Sequence, residues 1–96
     1  MAELQLTPAA LRDLENIWRY TAKQWNEAQA ARYLDVLNAG FEALAMAPLV
    51  APACDHVRPG YRRQRIGNHV VYFKLGKGLV TVVRVLHERM DAPRHL

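Results

Sequence analysis

The hydrophobic period of this chain changes once, near Pro48, and that change limits its possible folds more than any other feature. Before Pro48, apolar residues recur every three or four positions; after Gly60, runs rich in β-branched and aromatic residues are separated by glycine-bearing turns. The chain therefore groups its helices first and its strands afterwards. Helices grouped beside a mostly antiparallel sheet make an α+β domain.

Within the helical part, Glu3-Leu4-Gln5-Leu6 alternates polar and apolar residues and predicts a short strand with one buried face. Thr7-Pro8 supplies an N-cap and a proline at the first helical position. Leu11, Leu14, Trp18, Ala22 and Trp25, widened by Ile17 and Thr21, predict an amphipathic helix over residues 8–25. Asn26 caps a second helix, with Glu27 against its positive end. Its apolar row is Ala30, Leu34, Leu37, Phe41, Leu44 and Ala45, and Gly40, Ala28, Ala31 and Ala43 are small enough to admit a neighbouring helix closely. Pro48 and Pro52 end that helix and open a loop that runs to Gly60. Residues 61–66, 69–75 and 79–87 then predict three strands, turned at Gly67-Asn68 and at Gly76-Lys77-Gly78. Val71, Phe73 and Leu75 share one face of the middle strand; Val70, Tyr72 and Lys74 share the other. The expected fold is α+β: a short N-terminal strand, an antiparallel two-helix hairpin, then a three-strand antiparallel meander.

A length of 96 residues suits one domain, taken as residues 1–96. The one cysteine, Cys54, has no partner for an intramolecular disulfide and points to a reducing compartment. It lies in a loop-like stretch where His56 is the one base on hand, and an incidental loop thiol is the plainer reading. No apolar run is long enough to span a membrane, and residues 1–7 lack the pattern of an export signal, so a cytoplasmic protein without membrane contact is expected. Charge is unevenly placed. Residues 1–55 carry four basic and seven acidic side chains, a balance of −3; residues 56–96 carry nine and two, a balance of +7. A basic half of that kind favours a polyanionic or acidic partner.

Arg58, Arg62, Arg63 and Arg65 fall within eight residues. In a strand Arg63 and Arg65 lie on one face, with Arg62, Gln64 and Ile66 on the other. Guanidinium forks suit phosphate and carboxylate alike, while a solvated edge strand that discourages sheet-to-sheet aggregation is the plainer alternative. Arg84 stands between apolar neighbours on the last strand and needs a partner, for which Asp91, Glu88 or an acid of another chain would serve. His87, with an unperturbed pKa of about 6.5, suits acid–base work. With Tyr72, Arg65 and Arg84 it nominally supplies the base, acid and cations of a metal-independent ribonuclease, although no spacing requires it. His56, His69 and His95 lack metal-ligand spacing with one another or with Cys54, so neither a metal nor a cofactor is expected. Trp18, Trp25, Tyr33 and Phe41 read as helix-hairpin core, with Trp25 near an end where it can be exposed.

One ordered set of segments goes further. Leu6-Thr7-Pro8-Ala9-Ala10 leads into Leu14-Glu15-Asn16-Ile17-Trp18-Arg19-Tyr20, followed by Ala30-Ala31-Arg32-Tyr33-Leu34. Arg58-Pro59-Gly60-Tyr61-Arg62 and Val70-Val71-Tyr72-Phe73-Lys74 come next, and Val83-Arg84-Val85-Leu86-His87-Glu88-Arg89-Met90-Asp91 closes the chain's last strand. In order and spacing, along nearly the whole chain, these resemble the ParE branch of the RelE/ParE toxin–antitoxin superfamily. The resemblance implies a bacterial toxin that poisons DNA gyrase, is neutralised by a ParD-type antitoxin and meets operator DNA only through that antitoxin. The RelE branch instead cuts messenger RNA on the ribosome, and this chain lacks that branch's lysine-rich second strand. Target contacts are expected at Arg63, Arg65, Arg84, Arg89 and Met90, beside a C-terminal tail that nothing in the sequence obviously pins. Antitoxin contacts are expected at Trp18, Trp25, Arg58, Tyr61 and Arg62.

Overall fold

The computed structural model describes residues 2–96. Strand β1 (Glu3–Leu6) leads into helix α1 (Pro8–Gln24), helix α2 (Glu27–Met46) and a short 3₁₀ turn (Pro48–Val50). Strands β2 (Arg62–Ile66), β3 (His69–Gly76) and β4 (Leu79–His87) follow, and a one-turn helix α3 (Ala92–His95) ends the chain. The four strands form one mixed sheet in the order β1-β4-β3-β2, with β1 parallel to β4 and the remaining pairs antiparallel. The α+β reading and its element order therefore hold.

Local chemistry sets the element ends. The Thr7 hydroxyl accepts from the Ala10 amide at 3.1 Å and donates to the Val83 carbonyl at 2.7 Å, so the residue that starts α1 also bolts it to β4. The Asn26 side chain accepts from the Gln29 amide at 2.8 Å, which starts α2 within two residues of α1's end. Pro48 stops α2 because a proline cannot continue the hydrogen-bonded ladder.

The hairpin covers one sheet face. Ala10, Ile17, Leu37, Phe41 and Leu44 meet Val71, Phe73, Val80, Val82 and Val85 in the main core. The row expected on α2 is inside, with Leu34 partly so. On α1 the buried stripe is Ala10, Leu14 and Ile17, and the row Leu11–Trp18–Trp25 faces outward instead. Gly40 admits a strand rather than a helix: an added Cβ would lie 2.2 Å from Ile66 Cδ1, and Ala28, Ala31 and Ala43 are exposed.

The opposite sheet face carries a second, smaller core of Cys54, Tyr61, Tyr72, Leu86 and Ala92, with Val57, Val70, Val83 and Leu96 packed against it. Cys54 is thus a buried member of this cluster, not an incidental loop thiol, and burial pushes its pKa up. His56, the one candidate base for a reactive thiol there, is exposed. The C-terminal segment is pinned as well, against expectation. Ala92 and Leu96 pack on the sheet, the Arg58 guanidinium donates to the Leu96 main-chain oxygen at 2.6 Å, and Arg84 Nη1 donates to the His95 carbonyl at 2.8 Å.

Removing residues 92–96 should therefore uncover Tyr72, Val83 and Leu86 and cost about 2 kcal/mol, a fall in Tm of roughly 8–16 °C for a domain of this size. A thermal melt of the truncated chain measures it, and an unchanged Tm would show that the segment rests on the sheet without stabilising it.

Candidate functional site

Strand β1 stops at Leu6 while β4 runs on to His87, which leaves the second half of β4 with an open edge. Open backbone groups on a half-buried edge need partners. Asp13, on the buried side of α1, supplies one. Its Oδ2 accepts from the Val85 amide at 2.9 Å and from Arg84 Nε at 2.7 Å, while Oδ1 accepts from Arg84 Nη2 at 2.8 Å. The two side chains are 11% and 22% exposed, so the pair is shielded from much of the solvent that weakens surface pairs. The Asp13 hydrogen bond raises the Arg84 pKa further, and the guanidinium stays charged. The partner of Arg84 is thus neither Asp91 nor Glu88. Asp91 pairs with Arg94, and Glu88 with Arg65.

Beside this pair, a cleft of about 800 Å³ opens between the hairpin tip and the ends of β3 and β4. Tyr20, Trp25 and Met90 stand among its lining residues with Tyr33, His69 and His87. Tyr33 accepts from the Asn68 amide at 3.1 Å and shares a second hydrogen bond with Nδ1 of His69. Burial raises the Tyr33 pKa and keeps the phenol protonated. Burial lowers the His69 pKa, His87 lowers it further, and Asp13 and Glu88 oppose the shift. The His69 and His87 rings meet edge to face with centroids 5.4 Å apart, and Nδ1 of His87 accepts from the Arg89 amide at 3.2 Å. Gly67 sits close under Tyr33 at φ 60°, where an added Cβ would lie 2.8 Å from the hydroxyl.

These positions separate the nominal ribonuclease set. His87 opposes His69, whose Tyr33 partner lies on the hairpin, whereas Tyr72 is buried in the second core on the other face. Arg65 is paired with Glu88 and also donates to the Gly67 carbonyl, and Arg84 is gripped by Asp13. Arg84 and His87 line the same cleft and Tyr72 is the cross-strand partner of Arg84, but Tyr72 is buried in the second core and both arginines are held by carboxylates. Among the described residues no cluster of three or more histidine, cysteine or carboxylate groups is arranged to hold a metal ion.

The residues expected to bind partners divide between two sides. Trp18 and Trp25 stand on the outer face of α1, Trp25 being 75% exposed. They continue the row from Leu11, which lines an apolar groove of about 900 Å³ with Leu4, Leu6, Leu14 and Phe41. Arg58, Tyr61 and Arg62 lie elsewhere. Tyr61 is buried, with Arg58 and Lys74 over its ring at 5.9 and 5.6 Å, and Arg62 donates to the Ala51 carbonyl at 2.6 Å. Arg63 and Arg65 share the sheet face opposite the hairpin, and Arg89 and Met90 are exposed just past β4. The sequence reading missed Asp13, Tyr33 and His69. A carboxylate between Ala10 and Ile17 on the buried stripe was the legible signal for the first.

Residues 4–92 match the model of the ParE toxin of the type II toxin–antitoxin system parDE. This chain belongs to the ParE toxin family. It is 44% identical over 92 residues to toxin ParE1 of Mycobacterium tuberculosis, covering 95% of this chain and 94% of that protein. It is 38% identical over 96 residues to toxin ParE1 of Caulobacter vibrioides, covering 100% and 99%. A solved chain from the chromosomal ParDE system of P. aeruginosa shares the fold, with a TM-score of 0.81 at 16% identity over 91% of this chain and 96% of that one. Among the described residues of this ParE toxin no helix is long and apolar enough to cross a membrane.

The burial of His69 makes stability pH-dependent. The unfolded chain takes up the imidazole proton near pH 6.5, whereas the native state resists it to lower pH, so the unfolded state binds more protons in that window. The contribution is complete above about pH 6.5 and is lost as pH falls toward the depressed native value. Urea melts between pH 7.5 and 5 should show a steeper loss for the wild type than for His69→Gln. Equal slopes would remove His69 as the cause.

Proposed function

We propose that this ParE toxin acts in the cytoplasm as a non-enzymatic poison of DNA gyrase, and that a ParD-type antitoxin silences it. The single observation that carries this reading is that the groups nominally available beside His87 are engaged elsewhere: Tyr72 is buried in the second core, and Arg65 and Arg84 are held by Glu88 and Asp13. Acid–base catalysis needs its groups within hydrogen-bond reach of one reacting atom. The chain offers instead two exposed surfaces, the apolar row on α1 and the cationic sheet face, which approach each other at the cleft that Trp25 and Met90 both line, an arrangement suited to binding one protein and being restrained by another.

On this reading the target meets Arg63, Arg65, Arg89 and Met90. Arg84 contributes by fixing the end of β4, from which the turn carrying Arg89 and Met90 departs. Arginines with an apolar neighbour are frequent anchors of interface energy. The antitoxin takes the α1 row, whose Trp25 end reaches the cleft that Met90 also lines. Leu11, Trp18 and Trp25 recur at seven-residue intervals and so return to nearly the same helix face, a row suited to the apolar side of an incoming helix. Beside it runs the free edge of β1. The Glu3 and Thr7 amides donate to Gly78 and Val82, so by alternation the Leu4 and Leu6 backbone groups point away from β4. A segment that leaves the helix can add there as a strand. The choice of gyrase as target rests on the family.

Purified toxin incubated with gyrase and relaxed plasmid should leave linear, gyrase-cleaved DNA, and adding the cognate antitoxin should abolish it. Codon-specific cutting of messenger RNA on translating ribosomes, lost in His87→Ala with an unchanged melt, would replace this reading with the ribonuclease.

A further inference from the structure

We infer that the cationic row along β2 binds the phosphate backbone of duplex DNA directly, so that the toxin's target surface is a protein–DNA complex rather than protein alone. The inference rests on the gyrase reading only for where that DNA is met.

The row starts at Tyr61, just before β2. Its ring carries Arg58 and Lys74 above it, and Arg63 and Arg65 follow on the same face. Residues two apart on a strand are separated by about 6.6 Å. Each strand of a duplex advances about 3.4 Å along the axis per phosphate while winding around it, so a straight row of this length meets a few neighbouring phosphates before the backbone curves away. A strand holds this spacing rigidly, whereas cations scattered over a helix or loop would have to be ordered on binding.

Composition separates DNA from an acidic protein as the occupant. Protein interfaces centre on exposed aromatic or apolar anchors. The row has none: Tyr61 is 8% exposed, and the large exposed apolar side chains are on the hairpin, the 3₁₀ turn and Met90. Guanidinium and ammonium groups without an apolar centre are the composition of a backbone contact, which positions a protein without reading bases. Two carboxylates lie along the row. Asp55 is occupied by the Gly60 amide at 2.7 Å, and Glu88 holds Arg65. The hairpin side of the molecule bears the acidic balance, so a polyanion is repelled there and drawn to the sheet.

The test is fluorescence anisotropy of the full chain with a labelled duplex at several salt concentrations, without gyrase. With Arg65 held by Glu88, contacts from Arg58, Arg63 and Lys74 give a slope of log K against log salt of about −2.7. Arg63→Ala and Lys74→Ala should each make it shallower by about 0.9, Arg63→Lys should restore it, and Glu88→Gln should tighten binding. Arg12→Ala and Arg32→Ala, on the hairpin, remove the same charge and should leave the slope unchanged. Melts of every variant separate loss of contact from loss of fold. Absence of binding at low salt, or an equal response to hairpin and sheet substitutions, overturns the inference. The gyrase cleavage assay is read separately: cleavage without direct DNA binding sinks this inference alone, and DNA binding without cleavage sinks the gyrase reading alone.

Discussion

The Asp13 carboxylate holds the place where the sheet runs out of strand. β1 is four residues long and β4 is nine, so the far half of β4 would present bare backbone toward α1. Thr7 covers the first open group with its hydroxyl, and Asp13 covers the next by accepting from the Val85 amide. A carboxylate placed there without a cation would be costly, because burial penalises its charge. Arg84 answers it through both available forks and spends its remaining nitrogen on the His95 carbonyl. One ion pair thus joins the first helix, the last strand and the C-terminal segment. The side chains around it depend on that junction: the cleft wall, the His69–His87 contact and the turn to Met90 all stand on β4 beyond Val82.

A sheet dressed on both faces explains the rest of the layout. The hairpin covers one face, and the loop and C-terminal segment seal the centre of the other around Tyr72 and Leu86. What stays exposed beside that small core is cationic, because Arg63, Arg65 and Lys74 occupy alternate positions at and near the β2 edge. The charged edge resists addition of a foreign strand, while the β1 edge carries leucines and an open groove. The two edges are therefore chemically unlike.

Much of this was legible in the residues. The helical period, the Thr7 and Asn26 caps and the glycine turns mark nearly every element boundary, because each depends on neighbours within a few positions. The pairing of β1 with β4 is long-range and parallel, and a short alternating stretch does not say which strand it joins. The same limit hid the Asp13 partner of Arg84, 71 residues away. On α1 the aromatic row drew the buried stripe toward Trp18 and Trp25, whereas Ala10 and the aliphatic Ile17 meet the sheet. Large apolar side chains on a helix mark a surface that wants covering; they do not say whether the cover belongs to the same chain. Cys54 illustrates the reverse case, since a loop residue becomes core only when its loop folds back over a sheet.

The central claim is that Asp13 and Arg84 act as one unit on which β4 and its functional end depend, and a double-mutant cycle measures that most directly. Asp13→Ala, Arg84→Ala and the double variant are compared by urea denaturation at pH 7. Each single change leaves a shielded charge or amide without its partner and should cost about 2–4 kcal/mol. The double variant should lose much less than the sum, with a coupling of about 1.5 kcal/mol or more. Additive losses agreeing within about 0.5 kcal/mol would contradict the account. The two groups would then be independent, and the order of β4's end would have another origin.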